Sequence, residues 1–255
     1  MSQPALFISH GSPMIVLESS STHLFLKQLG QTLTQPDAII IVSAHWQTHG
    51  LCLNTEPQPV LINDFYGFPE QLYHLNYPIP VQTELSDILF HQLQRSGFNP
   101  TVIQQGIDHG IWTVLMLMYP QANIPIISIS LNADENPLWH FTLGEQLRSW
   151  REKNVLIIGS GGYTHNLRTL SHQEPTPSWI TDFITWADEK LLAQDHQALV
   201  NYEQEAPFAH KNHPTNEHFL PLFVALGAST PNQQPIKLHD DIEYATLSMA
   251  CWRFD

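Results

Sequence analysis

Three short runs of uninterrupted apolar residues constrain this chain most: Ala5-Leu6-Phe7-Ile8, Ile39-Ile40-Ile41-Val42 and Val155-Leu156-Ile157-Ile158. Runs of this length without alternation read as strands buried on both faces, the habit of parallel sheets covered by helices. In such sheets ligands bind beyond the carboxyl ends of the strands, where the loops diverge and open a crevice. Histidine collects at that edge. His10 and His45 follow the first and second runs, and His165 stands a few residues beyond the third. His109 sits in the polar turn Asp108-His109-Gly110. Imidazoles gathered there point to a metal site.

Between the runs the periodicity is helical. Residues 20–33 carry Leu24, Leu26, Leu29 and Leu33, with Ser21 or Thr22 as N-cap. Pro36-Asp37 then opens a strand over 38–44. Residues 81–96 place Leu85, Ile88, Leu89 and Leu93 on one stripe ended by Gly97. Ile111 to Met118 reads as a buried helix. Pro137 to Lys153 reads as an amphipathic one with Leu138, Phe141, Leu143 and Leu147 inward, and two more are expected at 177–194 and 216–227. Ile124 to Leu131 and 154–159 read as strands, and 236–252 supplies one or two edge strands. Residues 50–80, rich in proline and aromatics, read as a long loop with a short strand at 51–54; such a loop in a compact domain is functional or covers something. No internal repeat or linker divides the chain. The expected fold is α/β, a single domain over residues 1–255 with a central mostly parallel sheet flanked by helices.

The balance of charge narrows the partners. Twenty-four acidic against 10 basic side chains leave a formal charge of −14, which argues against nucleic acid and against an anionic membrane surface. The 15 histidines outnumber Lys and Arg together and favour neutral-imidazole chemistry. Cys52 and Cys251 stand far apart, so neither a disulfide framework nor a thiolate metal site is expected. No basic leader and no membrane-length apolar stretch is present, and a reducing cytoplasm is the expectation.

Each constellation also has a plainer meaning. His10-Gly11-Ser12-Pro13 and Ser43-Ala44-His45-Trp46 are strand ends where an imidazole can equally bond a carbonyl. Gly159-Ser160-Gly161-Gly162 can cradle a phosphate, or let another backbone approach closely while His165 reaches the crevice; no Lys and no phosphate-loop spacing favours the first. Asn212 to Pro221 reads as a helix opening, with Thr215 as N-cap and Glu217 complementing the macrodipole. The ten other histidines read as solvated or satisfied imidazoles.

Five motifs taken in order change the weight of these readings. They are Phe7-Ile8-Ser9-His10-Gly11-Ser12-Pro13, Val42-Ser43-Ala44-His45-Trp46, Asp108-His109-Gly110, Thr164-His165-Asn166-Leu167-Arg168 and Pro214-Thr215-Asn216-Glu217-His218. With them the chain resembles the 4,5-DOPA extradiol dioxygenases, of the class III (protocatechuate 4,5-dioxygenase-like) ring-cleaving superfamily. The resemblance implies one divalent metal per chain, Zn(II) or Fe(II), at the carboxyl edge of the strands. It implies a small catechol substrate, DOPA-like, opened with O2, both oxygen atoms being incorporated. His10 and His45 match the family's early metal ligands and His218 the late one, where more distant members carry a glutamate. His165 matches a residue that is either a fourth ligand or the acid–base group beside the metal. His109 matches a pocket histidine assisting proton transfer. Adjacent Glu217 keeps a two-His-one-carboxylate set open.

Tyr163 is bulkier than the family pattern and bears on substrate choice. Trp46 and the aromatic stretch 65–68 are expected to flank the ring, and Arg168 or Lys211 to meet a substrate carboxylate. Two rival classes stand beside this one: a zinc hydrolase using a metal-activated water, since all-nitrogen ligation suits zinc, and a metal-binding protein without catalysis.

Overall fold

The apolar runs lie side by side at the centre of one sheet. The computed structural model describes residues 2–80, 83–172 and 175–255. Its strands are β1 (Ala5–Ser9), β2 (Ala38–Thr48), β3 (Cys52–Asn54), β4 (Thr101–Ile103), β5 (Ile126–Asn132), β6 (Val155–Gly161), β7 (Ile236–His239), β8 (Ile242–Glu243), β9 (Leu247–Ser248) and β10 (Cys251–Phe254). Eight of them form a sheet ordered β4-β3-β5-β2-β6-β1-β10-β7, and β8 pairs with β9 apart from it. The block β5-β2-β6-β1 is parallel throughout, and β3 pairs parallel with β4. The joins of β3 to β5 and of β10 to β1 and β7 are antiparallel.

The helices are α1 (Ser21–Thr32), α2 (Glu70–Tyr73), α3 (Thr83–Arg95), α4 (His109–Met118), α5 (Pro137–Arg151), α6 (Ser178–Leu192), α7 (His196–Val200), α8 (Tyr202–Glu205), α9 (Ala209–Asn212) and α10 (Leu220–Gly227). They cover both faces of the sheet. Alternate residues of the central strands enter two different cores. Ala5, Phe7, Ile40 and Ile157 pack with Leu143 of α5, Phe183 of α6 and Leu222 of α10. Leu6, Ile8, Ile41 and Ile158 pack with Leu26 of α1 and Val114 of α4. A fully buried side chain of this size contributes about 1.5–3 kcal/mol, so the unbroken apolar runs hold the two helical layers on the sheet. No described helix is long and apolar enough to cross a membrane.

Several boundaries differ from expectation. Ser20, not Ser21 or Thr22, caps α1, its side chain accepting from His23 N at 3.2 Å. Leu24, Ile88 and Leu138 are exposed, because each helix turns only one stripe toward the sheet. Residues 81 and 82 of the expected third helix lie outside the described residues. The last long helix starts at Leu220 rather than 216, with Pro221 in its first turn, where a missing N–H costs nothing. The carboxyl-terminal stretch contributes four short strands, and β10 lies inside the sheet between β1 and β7.

Candidate metal centre

Three neighbouring parallel strands deliver histidines to one edge. His10 is the first residue past β1, and its backbone N donates to Gly161 O of β6 at 3.0 Å. His45 arrives differently. β2 continues to Thr48, and its register against β5 slips between Val42 and Gln47. A bulge bends a strand and re-aims its side chains. His45 lines the central cavity while Trp46 is buried away from its walls, so Trp46 does not flank the site as expected.

His109 is the first residue of α4 rather than part of a turn. Asp108 precedes it, and its Oδ1 accepts from Ser43 Oγ at 2.6 Å instead of capping the helix. Gly110 permits this close start: a Cβ there would lie 2.5 Å from Ser43 Oγ and 3.1 Å from His10 Nδ1. At Gly159 and Gly161 a Cβ would lie 2.1 Å from Pro221 O and 2.2 Å from His218 O. The glycines after the third apolar run therefore admit the 218–221 backbone and do not cradle a phosphate. Gly162 N donates to His218 O at 2.8 Å and His165 N to Asn212 O at 3.0 Å, which stitches the His165 loop to the His218 loop.

The imidazoles converge. His10 Nε2 and His45 Nε2 are 3.1 Å apart. The His218 ring centre lies 5.4 Å from that of His10 and 5.0 Å from that of His45. His165 stacks on His218, centroids 3.3 Å apart and planes within 8°. His109 lies 3.9 Å from His45, centroid to centroid. Ligand atoms of His10, His45 and His109 lie within 4.8 Å of one another, as do those of His165, Glu217 and His218.

Hydrogen bonds set which nitrogens are bare. Asp64 Oδ1 accepts from His109 Nδ1 at 2.8 Å, and Asp64 Oδ2 faces His45 Nδ1 at 3.1 Å. Burial pushes the Asp64 carboxyl up, but the bonds from His109 and His45 outweigh it and hold it well below the usual carboxylate range. An ionised carboxylate only accepts, so both imidazoles donate from Nδ1 and present Nε2 to the centre. Ser160 Oγ donates its one proton to Gly110 O at 2.5 Å and therefore accepts from His10 Nδ1 at 3.0 Å. Burial first, then the neighbouring imidazoles, hold His10 well below the usual histidine range, so its Nε2 carries a lone pair. His218 Nδ1 donates to Glu217 Oε1 at 3.1 Å, and its Nε2 is buried without a hydrogen-bond partner. Burial likewise keeps His218 neutral.

The facing Nε2 atoms of His10 and His45 fit a cation, and the sets close enough to hold one are His10, His45 and His109 and, separately, His165, Glu217 and His218. Two ligands bound at about 2.1 Å with an angle between about 90° and 110° stand roughly 3.0–3.4 Å apart, and an orphaned buried Nε2 is costly unless something binds it. Glu217 is turned toward its own neighbours: its Oε1 also accepts from Thr215 Oγ1 at 2.9 Å, so Thr215 serves this carboxylate and not a helix cap. Burial lowers His165 to about 4, partly offset by Glu217.

The centre opens into a cavity of about 590 Å3. Phe65 and Phe68 line it, and Phe65 meets His109 edge-on at 5.7 Å. Tyr163 does not line it: the ring is buried against Phe7 and Trp252, and its hydroxyl donates to Asp188 Oδ1 at 2.8 Å. Arg168 and Lys211 do not line it either, and the Lys211 ammonium sits 4.4 Å over the Trp179 ring. Asp64 and His172 line the cavity as well: Asp64 shows in the sequence only as the acidic residue opening an aromatic loop segment, and His172, expected to be solvated, lies at the cavity wall against Tyr244. The buried His140 bonds Asn136 O at 2.9 Å, and the buried His213 bonds Tyr163 O at 3.1 Å through Nε2 while its Nδ1 has no partner.

Known proteins resemble this chain over nearly its whole length. Residues 4–254 match the family described as the catalytic LigB subunit of aromatic ring-opening dioxygenase. A protein of Escherichia coli (strain K12) named 4,5-DOPA dioxygenase extradiol is 39% identical over 252 residues, 96% of this chain and 92% of its own length. The protein of the same name in Beta vulgaris is 35% identical over 254 residues, 97% and 95% of the two chains. A solved structure of an uncharacterized protein, JW3007, from Escherichia coli K12 superposes with a TM-score of 0.83 at 33% identity, covering 99% of this chain and all of that one.

Proposed function

The chain belongs to the family of catalytic LigB subunits of aromatic ring-opening dioxygenases, and from that premise we propose that it is an extradiol dioxygenase opening a catechol with O2, both oxygen atoms entering the product. Residues 1–255 form one catalytic unit in this reading. His10, His45 and His218 hold one divalent metal through Nε2, with His165 beside it. The observation that carries this is the pair of facing Nε2 atoms of His10 and His45 together with the orphaned Nε2 of His218. When bound, Fe(II) supplies a site where a catecholate and O2 meet and exchange electrons, which Zn(II) cannot do.

The side chains do the rest. Asp64 fixes His45 and His109 by their Nδ1 atoms, so neither ring turns as substrate enters. His165, half-buried on the cavity wall, takes a proton from a catechol hydroxyl and returns it to the opening ring. His109 accepts at its bare Nε2 from a substrate hydroxyl. Phe65 walls the ring and excludes water. An all-nitrogen donor set also suits a zinc hydrolase, yet the relatives are named dioxygenases. Oxygen uptake with unsubstituted catechol is the test. The Fe(II)-reconstituted chain consumes oxygen and yields a ring-opened product, whereas the zinc form does not. Ester hydrolysis by the zinc form without oxygen uptake by the iron form contradicts the proposal.

A further inference from the structure

The cations that the sequence offers to a substrate carboxylate, Arg168 and Lys211, do not line the cavity, and among the described residues no other lysine or arginine does. The donors that do line it are Ser12, Tyr66, His172 and Tyr244. Ser12 Oγ accepts from Met14 N at 3.3 Å and keeps its own proton to give, while Tyr66 is 92% exposed at the mouth. Asp64, the one lining carboxylate, is already bonded to His45 and His109. The unspent polar groups of this wall are therefore donors, and they suit an acceptor.

Two of the four are held in place. Tyr244 stands in the turn between β8 and β9, where Tyr244 and Ala245 take φ of 51° and 61°. That left-handed region is costly for residues with a Cβ, so the surroundings must impose it. Ser171 N donates to Tyr244 O at 3.0 Å; Thr164 Oγ1 donates to Thr246 O at 2.8 Å and accepts from Ser248 N at 2.7 Å. These bonds pin the turn to the residue before His165 and to the residue before His172. The His172 and Tyr244 rings then meet edge-on, centroids 4.9 Å apart and planes at 84°. Backbone strain of this kind is kept where it holds a side chain for a ligand. Burial first, then the carboxylates of Glu18 and Glu243, push the Tyr244 hydroxyl above its ordinary range, so it keeps its proton and donates. Neither carboxylate lines the cavity, so what a ligand touches here is the donor.

On the dioxygenase reading, we infer that Tyr244 and His172 are specificity-determining residues, which donate hydrogen bonds to a carboxylate ending the catechol's ring substituent. The diol end goes to the imidazoles of the centre, and the substituent runs to the wall that carries this ring pair. A carboxylate is the strongest acceptor such donors can meet, since a bond to an ionised oxygen is charge-assisted. The stem between ring and carboxylate has Leu167 and Leu170, which also line the cavity, to pack on.

The test compares 3-(3,4-dihydroxyphenyl)propionate with 4-propylcatechol, which match in length and differ at the terminus. Both are titrated by calorimetry into the zinc-loaded full chain, which is redox-inert, at pH 8, above the ordinary imidazole titration. The quantity read is the ratio of the two affinities. Tyr244→Phe removes one hydroxyl, and His172→Phe keeps a ring against Tyr244 without its donor. Each shifts the ratio against the propionate by about fivefold or more, the worth of a hydrogen bond to a charged group once solvent competes. Arg168→Ala leaves the ratio at its wild-type value. An unchanged ratio in either ring variant overturns the pair. A ratio that falls in Arg168→Ala instead gives the carboxylate to that guanidinium and overturns it too. Failure of both catechols to bind the wild-type chain also overturns it. Should one ring variant fail to fold, the other decides by the same ratio. Oxygen uptake by the iron form with unsubstituted catechol is recorded alongside: its absence defeats the dioxygenase reading, while the ratios still decide the two residues.

Discussion

Asp64 grips His109 twice, its Oδ1 lying 2.8 Å from the ring Nδ1 and 3.2 Å from the backbone N that opens α4. Its other oxygen reaches His45 Nδ1 at 3.1 Å. One loop carboxylate thus orients two imidazoles from separate elements. Asp64→Asn keeps the shape but turns one acceptor into a donor. Losing an orienting partner of this kind costs about tenfold to 100-fold in metal affinity. Chelator competition with zinc reads that loss, and an unchanged dissociation constant contradicts the role.

Glu217 holds His218 by Nδ1 rather than facing the centre alone. Glu217→Gln retains an acceptor oxygen for that bond, so it lowers zinc affinity less than about tenfold, whereas His218→Ala removes a ligand and costs more than about 100-fold. Equal losses in the two variants, measured in the same competition assay, make Glu217 a ligand instead.

Gly161 lies under the His218 carbonyl, where an added Cβ would stand 2.2 Å from the oxygen. Gly161→Ala pushes the two backbones apart at the point that sets His218. The expected cost is on the order of 3 kcal/mol by urea denaturation, with weakened metal binding in the fraction that folds. A wild-type urea midpoint with wild-type metal affinity would show that the two backbones can separate freely.

Tyr163 serves the core. Its hydroxyl bonds Asp188, which Lys237 Nζ also meets at 2.7 Å. Tyr163→Phe therefore lowers stability by about 1 kcal/mol while leaving the order of preference among catechols unchanged. A reordered preference places this residue in the substrate's path.

The legible part of the fold was the part written in local pattern. The unbroken runs at 5–8, 39–42 and 155–158 announced buried parallel strands, and a histidine directly past a strand end, as with His10, could be placed from position alone. His45 needed the bulge in β2, which arises from pairing with β5 and leaves no mark in the run itself. Asp64 stayed hidden because its partners are 19 and 45 positions away and its own segment has no period; only the folded loop brings it under α4. Tyr163 cannot be placed from its position alone because a residue in a strand-end turn can face the crevice or the core, and the backbone bond from Tyr163 N to Ser9 Oγ goes with a ring buried in the core.

The central claim is that Nε2 atoms of His10, His45 and His218 grip one ion, with His165 at its side. X-ray absorption fine structure at the zinc edge of the one-to-one zinc protein tests it most directly. The account predicts three or four imidazole nitrogens at about 2.0–2.1 Å, and loss of one of them in His218→Ala. A shell made of oxygen alone, or a nitrogen shell unchanged by that substitution, contradicts it.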